Sequence, residues 1–233
     1  KLYPKLRHTH TVIWTIKPKK TDAEISILAQ GIVKDSVSAD TLSDEELLYA
    51  VTLTPLLEEK EAICKAAIKK NDTYVAHNNL GAVYLEMAEK TSDANKKSSY
   101  ITNAMNEFEI ANTKEENAES TNNIAVCNML KGMKEAALLG FIKANSLPTS
   151  DPELKKGINA GKGTMEVKFA KYDNAIESFT AAGDIVTGTD FNKGLAYLLN
   201  YSLRAKDLLS TYTISLYPGL CLLFLPRGSR CVH

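Results

Sequence analysis

Apolar residues recur at helical spacing along most of the chain. In "VAHNNLGAVYLEMA", residues 75–88, Ala76, Leu80, Val83, Tyr84 and Met87 keep the three- and four-residue step of one helix face. Gly81 interrupts that face, at a cost of about 1 kcal/mol relative to alanine. Asn78-Asn79-Leu80-Gly81 would elsewhere read as a turn. "TDAEISILAQ" opens with a capping Thr21 or Asp22 and places Glu24 in its first turn, which predicts a helix. "SADTLSDEELLYAVTL" predicts a second helix from Ser43, with Asp44, Glu45 and Glu46 suited to the positive helix N-terminus. "LEEKEAICKAAIKK" predicts a third. Residues 1–17 differ. "LRHTHTVIWTI" alternates His10, Val12, Trp14 and Ile16 with Thr9, Thr11, Ile13 and Thr15, the two faces of a strand. A lone strand is not stable in water, so it needs partners.

The helical pattern repeats. Ala104, Phe108 and Ala111 are four and three residues apart, and the same triplet returns at Ala137, Phe141, Ala144 and at Ala175, Phe179, Ala182. A small residue, Ala125 or Gly163, stands twelve positions before the first alanine of each later triplet. Gly81 and Tyr84 are three apart, as are Gly194 and Tyr197. The period of roughly 33 to 38 residues fits a unit of two helices. Small residues belong where the two helices of a hairpin approach closely, and the aromatic residues fill the space between neighbouring hairpins.

This pattern resembles the tetratricopeptide family over about residues 44–209, with Leu-Gly-x-x-Tyr in the first helix and Ala-x-x-x-Phe-x-x-Ala in the second. The resemblance implies an all-α fold, a right-handed α-α superhelix. Several positions depart from the family. His77 replaces the usual tryptophan, Glu116 the closing proline, and Pro148 lies one position early. The unit before Gly81 is degenerate: Ala66 fits the last alanine, but Glu59 replaces the first. Between Gly81 and Ala104 stand eleven extra residues, about three helical turns, so either both helices lengthen in register or the insert loops out. After Leu209, "STYTISLYPGLCLLFLPRGSRCVH" has no repeat signature and is expected not to continue the solenoid.

The combination of "LYPKLRHTHTVIWTI", "TDAEI", "LSDEELLYAVTLTP", "NNLGAVYLEM", "NNIAVCNMLKG" and "FNKGLAYLLN" is similar to the C-terminal part of the large OmpA-related outer-membrane proteins of Bacteroidetes. The resemblance spans about residues 2–209. It implies that residues 1–20 are the strand remnant of a truncated OmpA-like domain, 21–209 the helical repeats and 210–233 an atypical tail. It also implies a periplasmic location associated with the outer membrane. Peptidoglycan would then be reached only through a domain this chain does not contain. The start at Lys1, with neither Met nor signal peptide, fits a fragment or processed product.

Charge and chemistry narrow the function. The 28 basic and 28 acidic side chains cancel, so no basic surplus points to nucleic acid. The most apolar run, Ile214 to Leu225, is too short for a membrane span and holds Pro218 and Gly219, so no direct membrane insertion is expected. Cys64, Cys127, Cys221 and Cys231 form no CxxC pair. His8 and His10 share a strand face, but no third ligand stands near, so no metal is expected. "GINAGKGT" lacks phosphate-loop spacing and falls inside a repeat. Glu107, Glu109 and Glu177 pair with no histidine or second carboxylate at fixed spacing, and His77 suits a hairpin interface better than a base. No catalytic residue, cofactor or enzymatic activity is expected.

What remains is partner binding. By tetratricopeptide geometry, the residues three before, one after and four after each first-helix small residue line the concave groove. They are Asn78, Ala82 and Leu85; Asn122, Val126 and Met129; Ala160, Thr164 and Val167; Phe191, Leu195 and Leu198. Ala82, Val126, Thr164 and Leu195 stand where clamp-type domains carry the asparagine that grips C-terminal carboxylates, which excludes a clamp. Asn78 and Asn122 are suited to a peptide backbone, since an amide both donates and accepts. Two roles are open for these residues: a groove for an uncharged segment of a protein partner, or packing against the next hairpin. A spacer or dimerisation module without a peptide ligand is the alternative function.

Overall fold

The computed structural model describes residues 20–183 and 189–206 in full, and the backbone alone of 207–217 and 221–226. The strand expected at residues 1–17, with His8 and His10, lies outside the described residues. The chain divides into two compact units, 1–70 and 71–233.

The first unit begins as its capping residues dictate. Thr21 caps α1 (Asp22–Val33) and Ser43 caps α2 (Asp44–Leu53), each in a reciprocal box with Glu24 or Glu46. The hydroxyl accepts from the third backbone amide and the glutamate returns to the cap amide, so two orphan donors are satisfied together. A short 3₁₀ turn (Ala39–Thr41) precedes α2, and α3 (Leu57–Lys70) follows it. Ile25, Ala29, Leu42, Leu47, Ile63 and Cys64 are buried. Lys70 reaches back from the end of α3 to Asp44 at 2.9 Å.

The second unit is a run of hairpins: α4 (Tyr74–Lys90) with α5 (Ala94–Lys114), α6 (Ala118–Leu130) with α7 (Lys134–Ser146), and α8 (Pro152–Lys168) with α9 (Tyr172–Ala182). Each hairpin packs on the next, and α10 (Thr189–Thr211) packs on α9. The architecture is an all-α superhelical solenoid. The backbone then forms an antiparallel pair, β1 (Tyr212–Tyr217) with β2 (Cys221–Pro226). The eleven extra residues are helix, not loop. α4 and α5 have 17 and 21 residues against 13 and 13 in α6 and α7, and three residues join them. The lengthened part supports itself by burying Met87, Ala88 and Ile101 and stacking Tyr84 on Tyr100 at 6.5 Å.

The repeat residues are the core. Every alanine and phenylalanine of the three triplets is buried to 1 % exposure or less. A Cβ on Gly81 would stand 2.5 Å from the Phe108 ring, and one on Gly163 2.9 Å from Phe179. In the middle hairpin Ala125 faces Gly140 instead, and Phe141 lies on Gly161 of the next hairpin, where a Cβ would stand 2.5 Å from its ring. The glycine at the centre of α4 is therefore a contact surface. Its poor helix propensity is the smaller term, because overpacking costs about 1–3 kcal/mol. The turns inside the second and third hairpins share one device. Gly132, before α7, has φ +76°, and Ala170, at the same place before α9, has φ +56°. That region strains an alanine but not a glycine.

These contacts fix the sign of three substitutions. Gly81→Ala should lower the urea midpoint, although alanine is the better helix former. Gly157→Ala, in α8 where a Cβ meets nothing within 4 Å among the described residues, should raise it. Ala170→Gly should stabilise by about 1 kcal/mol, measured by the same unfolding curves.

Candidate partner-binding face

The residues marked by spacing lie on the first helices α4, α6, α8 and α10, but they are not equivalent. Ala82 is exposed, and Leu85, Val126, Met129, Thr164 and Val167 are half-buried. Val126 and Met129 lean on the cluster of Ala125, Leu138, Phe141 and Met165, and Val167 on Ala175 and Phe179. Ala160 is buried, and Thr164 Oγ1 donates to its carbonyl at 2.9 Å, a bond within α8. Phe191, Leu195 and Leu198 of α10 are exposed.

The two asparagines part company. Asn78 is only 4 % exposed. Its Oδ1 accepts from Ser120 Oγ at 3.2 Å and from Asn123 Nδ2 at 3.1 Å, both on α6. It ties one first helix to the next, which is the packing role. Asn122 is half-buried, and its Nδ2 donates to Asn123 Oδ1 at 3.3 Å. Asn122 Oδ1 is itself buried, and no donor among the described residues reaches it. Ser120, whose backbone amide is held by the α6 cap Asn117, has no signature in the sequence that marks it as a partner of Asn78.

A polar cluster forms behind this face. His77 Nδ1 lies 2.6 Å from Glu107 Oε2, and Nε2 lies 2.7 Å from Asp72 Oδ1. Lys114 meets the other Asp72 oxygen at 2.6 Å. The ring bridges the two carboxylates and clamps α4 to α5. The reading that Glu107 has no histidine partner is thereby corrected. The two residues are 30 apart in sequence, and only the closed hairpin sets them opposite. The Lys114 ammonium, and after it the His77 ring, hold the Asp72 carboxyl below the usual carboxylate range.

The remaining candidate chemistry resolves into structure. Lys162 and Gly163 lie inside α8: Lys162 faces Glu166 at 3.6 Å, and Gly163 abuts Phe179. Glu166 is buried and accepts from Ser178 Oγ at 2.7 Å, joining α8 to α9. Burial pushes the Cys127 thiol up to about 12, the behaviour of an inert core sulfur. Among the described residues no group of three or more His, Cys, Asp or Glu is placed to hold a metal ion. No helix of the described residues is long and apolar enough to cross a membrane.

No protein-family model matches the chain, and no curated protein matches it in sequence. Among solved structures it is similar to a thermophilic TPR protein of Thermus thermophilus, with a TM-score of 0.58 and 12 % identity, over 76 % of this chain and 100 % of that one. At that identity the likeness speaks to fold alone. The fold is that of a tetratricopeptide solenoid.

Mutation separates the two asparagines. Asn78→Ala leaves Ser120 and Asn123 without their acceptor and should cost about 1–3 kcal/mol in chemical unfolding. Asn122→Ala should cost less than about 1 kcal/mol. The lowered Asp72 pKa makes its contribution present above the unfolded value, about pH 3.9, and lost as pH falls through the folded value. The stability gap between wild type and Asp72→Asn should therefore shrink below about pH 4, followed by urea titration.

Proposed function

We propose that the chain is a non-enzymatic interaction module that binds an uncharged, extended or helical segment of a partner protein on the α4–α6–α8 face. The observation that carries this is the face itself. Ala82, Leu85, Val126, Met129, Thr164 and Val167 stand on successive first helices without a charge among them. Apolar burial would supply the affinity, less the entropy cost of association. Stacked helical repeats present such surfaces as preformed units.

The setting we propose is the bacterial envelope, periplasmic and associated with the outer membrane. It rests on the likeness of residues 2–209 to the repeat region of OmpA-related proteins, in which wall attachment belongs to another domain. A spacer or dimerisation module is the second reading, favoured by the exposed apolar side chains of α10.

Selection of a phage-displayed peptide library on the full chain tests the binding face. It should enrich uncharged sequences, and a selected peptide should bind the Ala82→Arg variant at least about tenfold more weakly, with the melting temperature unchanged. Enrichment of strongly acidic or basic peptides, or affinity indifferent to Ala82→Arg, would overturn the reading. Recovery of the native protein in the cytosolic fraction of its cell would overturn the envelope setting.

A further inference from the structure

The last helix differs from the other first helices in what covers it. Gly194 stands in α10 at the register of Gly81 and Gly163, yet a Cβ there meets nothing within 4 Å among the described residues, where those two meet the rings of Phe108 and Phe179. Three residues on, Tyr84 of α4 is 8 % exposed, but Tyr197 of α10 is 54 % exposed. The opposite side of α10 is closed, with Ala196 buried on Ala175 and Phe179. The backbone after α10 forms the β1–β2 pair and not a second helix. α10 is thus a first helix whose aromatic-on-glycine contact is unmade. Its open side carries Phe191 at 74 % and Tyr201 at 75 % exposure, with Leu195, Tyr197 and Leu198 between them. A contiguous apolar patch on one helix marks an interaction surface.

We infer that this surface is an interface between two copies of the chain: α10 packs antiparallel on α10 of a second copy, with Tyr201 of each seated over Gly194 of the other. The second copy is favoured because α10 carries both halves of the missing contact. Gly194 and Tyr201 are two turns apart on one face, so a two-fold axis between them makes the contact twice and closes the pair. In that register Leu198 opposes Tyr197 of the other copy. The exposed charges agree with it as well. Asp190, at the start of α10, comes level with Ala205 of the other copy, between Arg204 and Lys206. Arg204 already meets Asp173 at 3.1 Å, so Lys206 takes the part of Asp190's partner. Antiparallel pairing also sets opposite helix-dipole ends together. None of this depends on whether the α4–α8 face takes a peptide.

Sedimentation velocity of the full chain over a concentration series is the test. Wild type should pass from monomer to dimer. Leu198→Glu and Gly194→Leu should each raise the dissociation constant about tenfold or more. Gly194→Leu is the sharper variant: it adds its side chain where a Cβ meets nothing, so circular dichroism and the melting temperature should hold while association fails. Asp190→Lys should weaken the dimer, and combining it with Lys206→Asp should restore it. Ala82→Arg should leave association unchanged, which separates this interface from the peptide-binding face. A wild-type monomer at every concentration would overturn the inference. So would a dimer that survives Leu198→Glu but is lost on Phe224→Glu, since association would then run through the C-terminal segment.

Discussion

The solenoid depends on one short contact: an aromatic ring lying on a residue with little or no side chain. Phe108 on Gly81 and Phe179 on Gly163 close the first and third hairpins from within. Phe141 on Gly161 closes the gap between the second hairpin and the third. Each ring is essentially fully buried. Packing at interior density gives such contacts little tolerance, since even one methyl forces a shift. They also set how closely the paired helices approach.

Polar ties add specificity to that apolar frame, and they vary where the rings do not. Glu107, Gly140 and Ser178 share one register, three residues after the first alanine of each triplet. Glu107 meets His77, Gly140 abuts Ala125, and Ser178 donates to the buried Glu166. Between the first two hairpins the tie is the Asn78 oxygen shared by Ser120 and Asn123. A buried polar group must find a partner, and each pair is satisfied in only one alignment of its helices. Such pairs select the register of their own hairpin, whereas the aromatic contact is common to all.

Function in this architecture falls to what the frame leaves uncovered. On α4, α6 and α8 the positions Ala82, Leu85, Val126, Met129, Thr164 and Val167 carry no charge and are mostly half-buried. Gly194 and Tyr197 of α10 are uncovered for a different reason, because a strand pair and not a second helix follows α10. The two surfaces share a fold but arise from separate causes: one from repetition, the other from its interruption.

The repeat, its small and aromatic stations and the helix starts at Thr21 and Ser43 were legible in the sequence, because each is a local rule or a periodic one. Spacing also placed Ala82, Val126 and Thr164 on successive first helices, since register alone determines which residues share a face. Three matters were decided only by the tertiary structure. Whether the eleven-residue insert lengthened the helices or looped out depended on whether Tyr84, Met87, Tyr100 and Ile101 found one another across the hairpin. The pairing of His77 with Glu107 joins residues 30 apart that no local spacing connects. And Asn78 and Asn122, identical in residue type and repeat position, diverge because only Asn78 has Ser120 and Asn123 within hydrogen-bonding distance of its oxygen. Sequence marks where a side chain stands on its helix; only the neighbouring helix determines whether that side chain is consumed in packing or left to meet a partner.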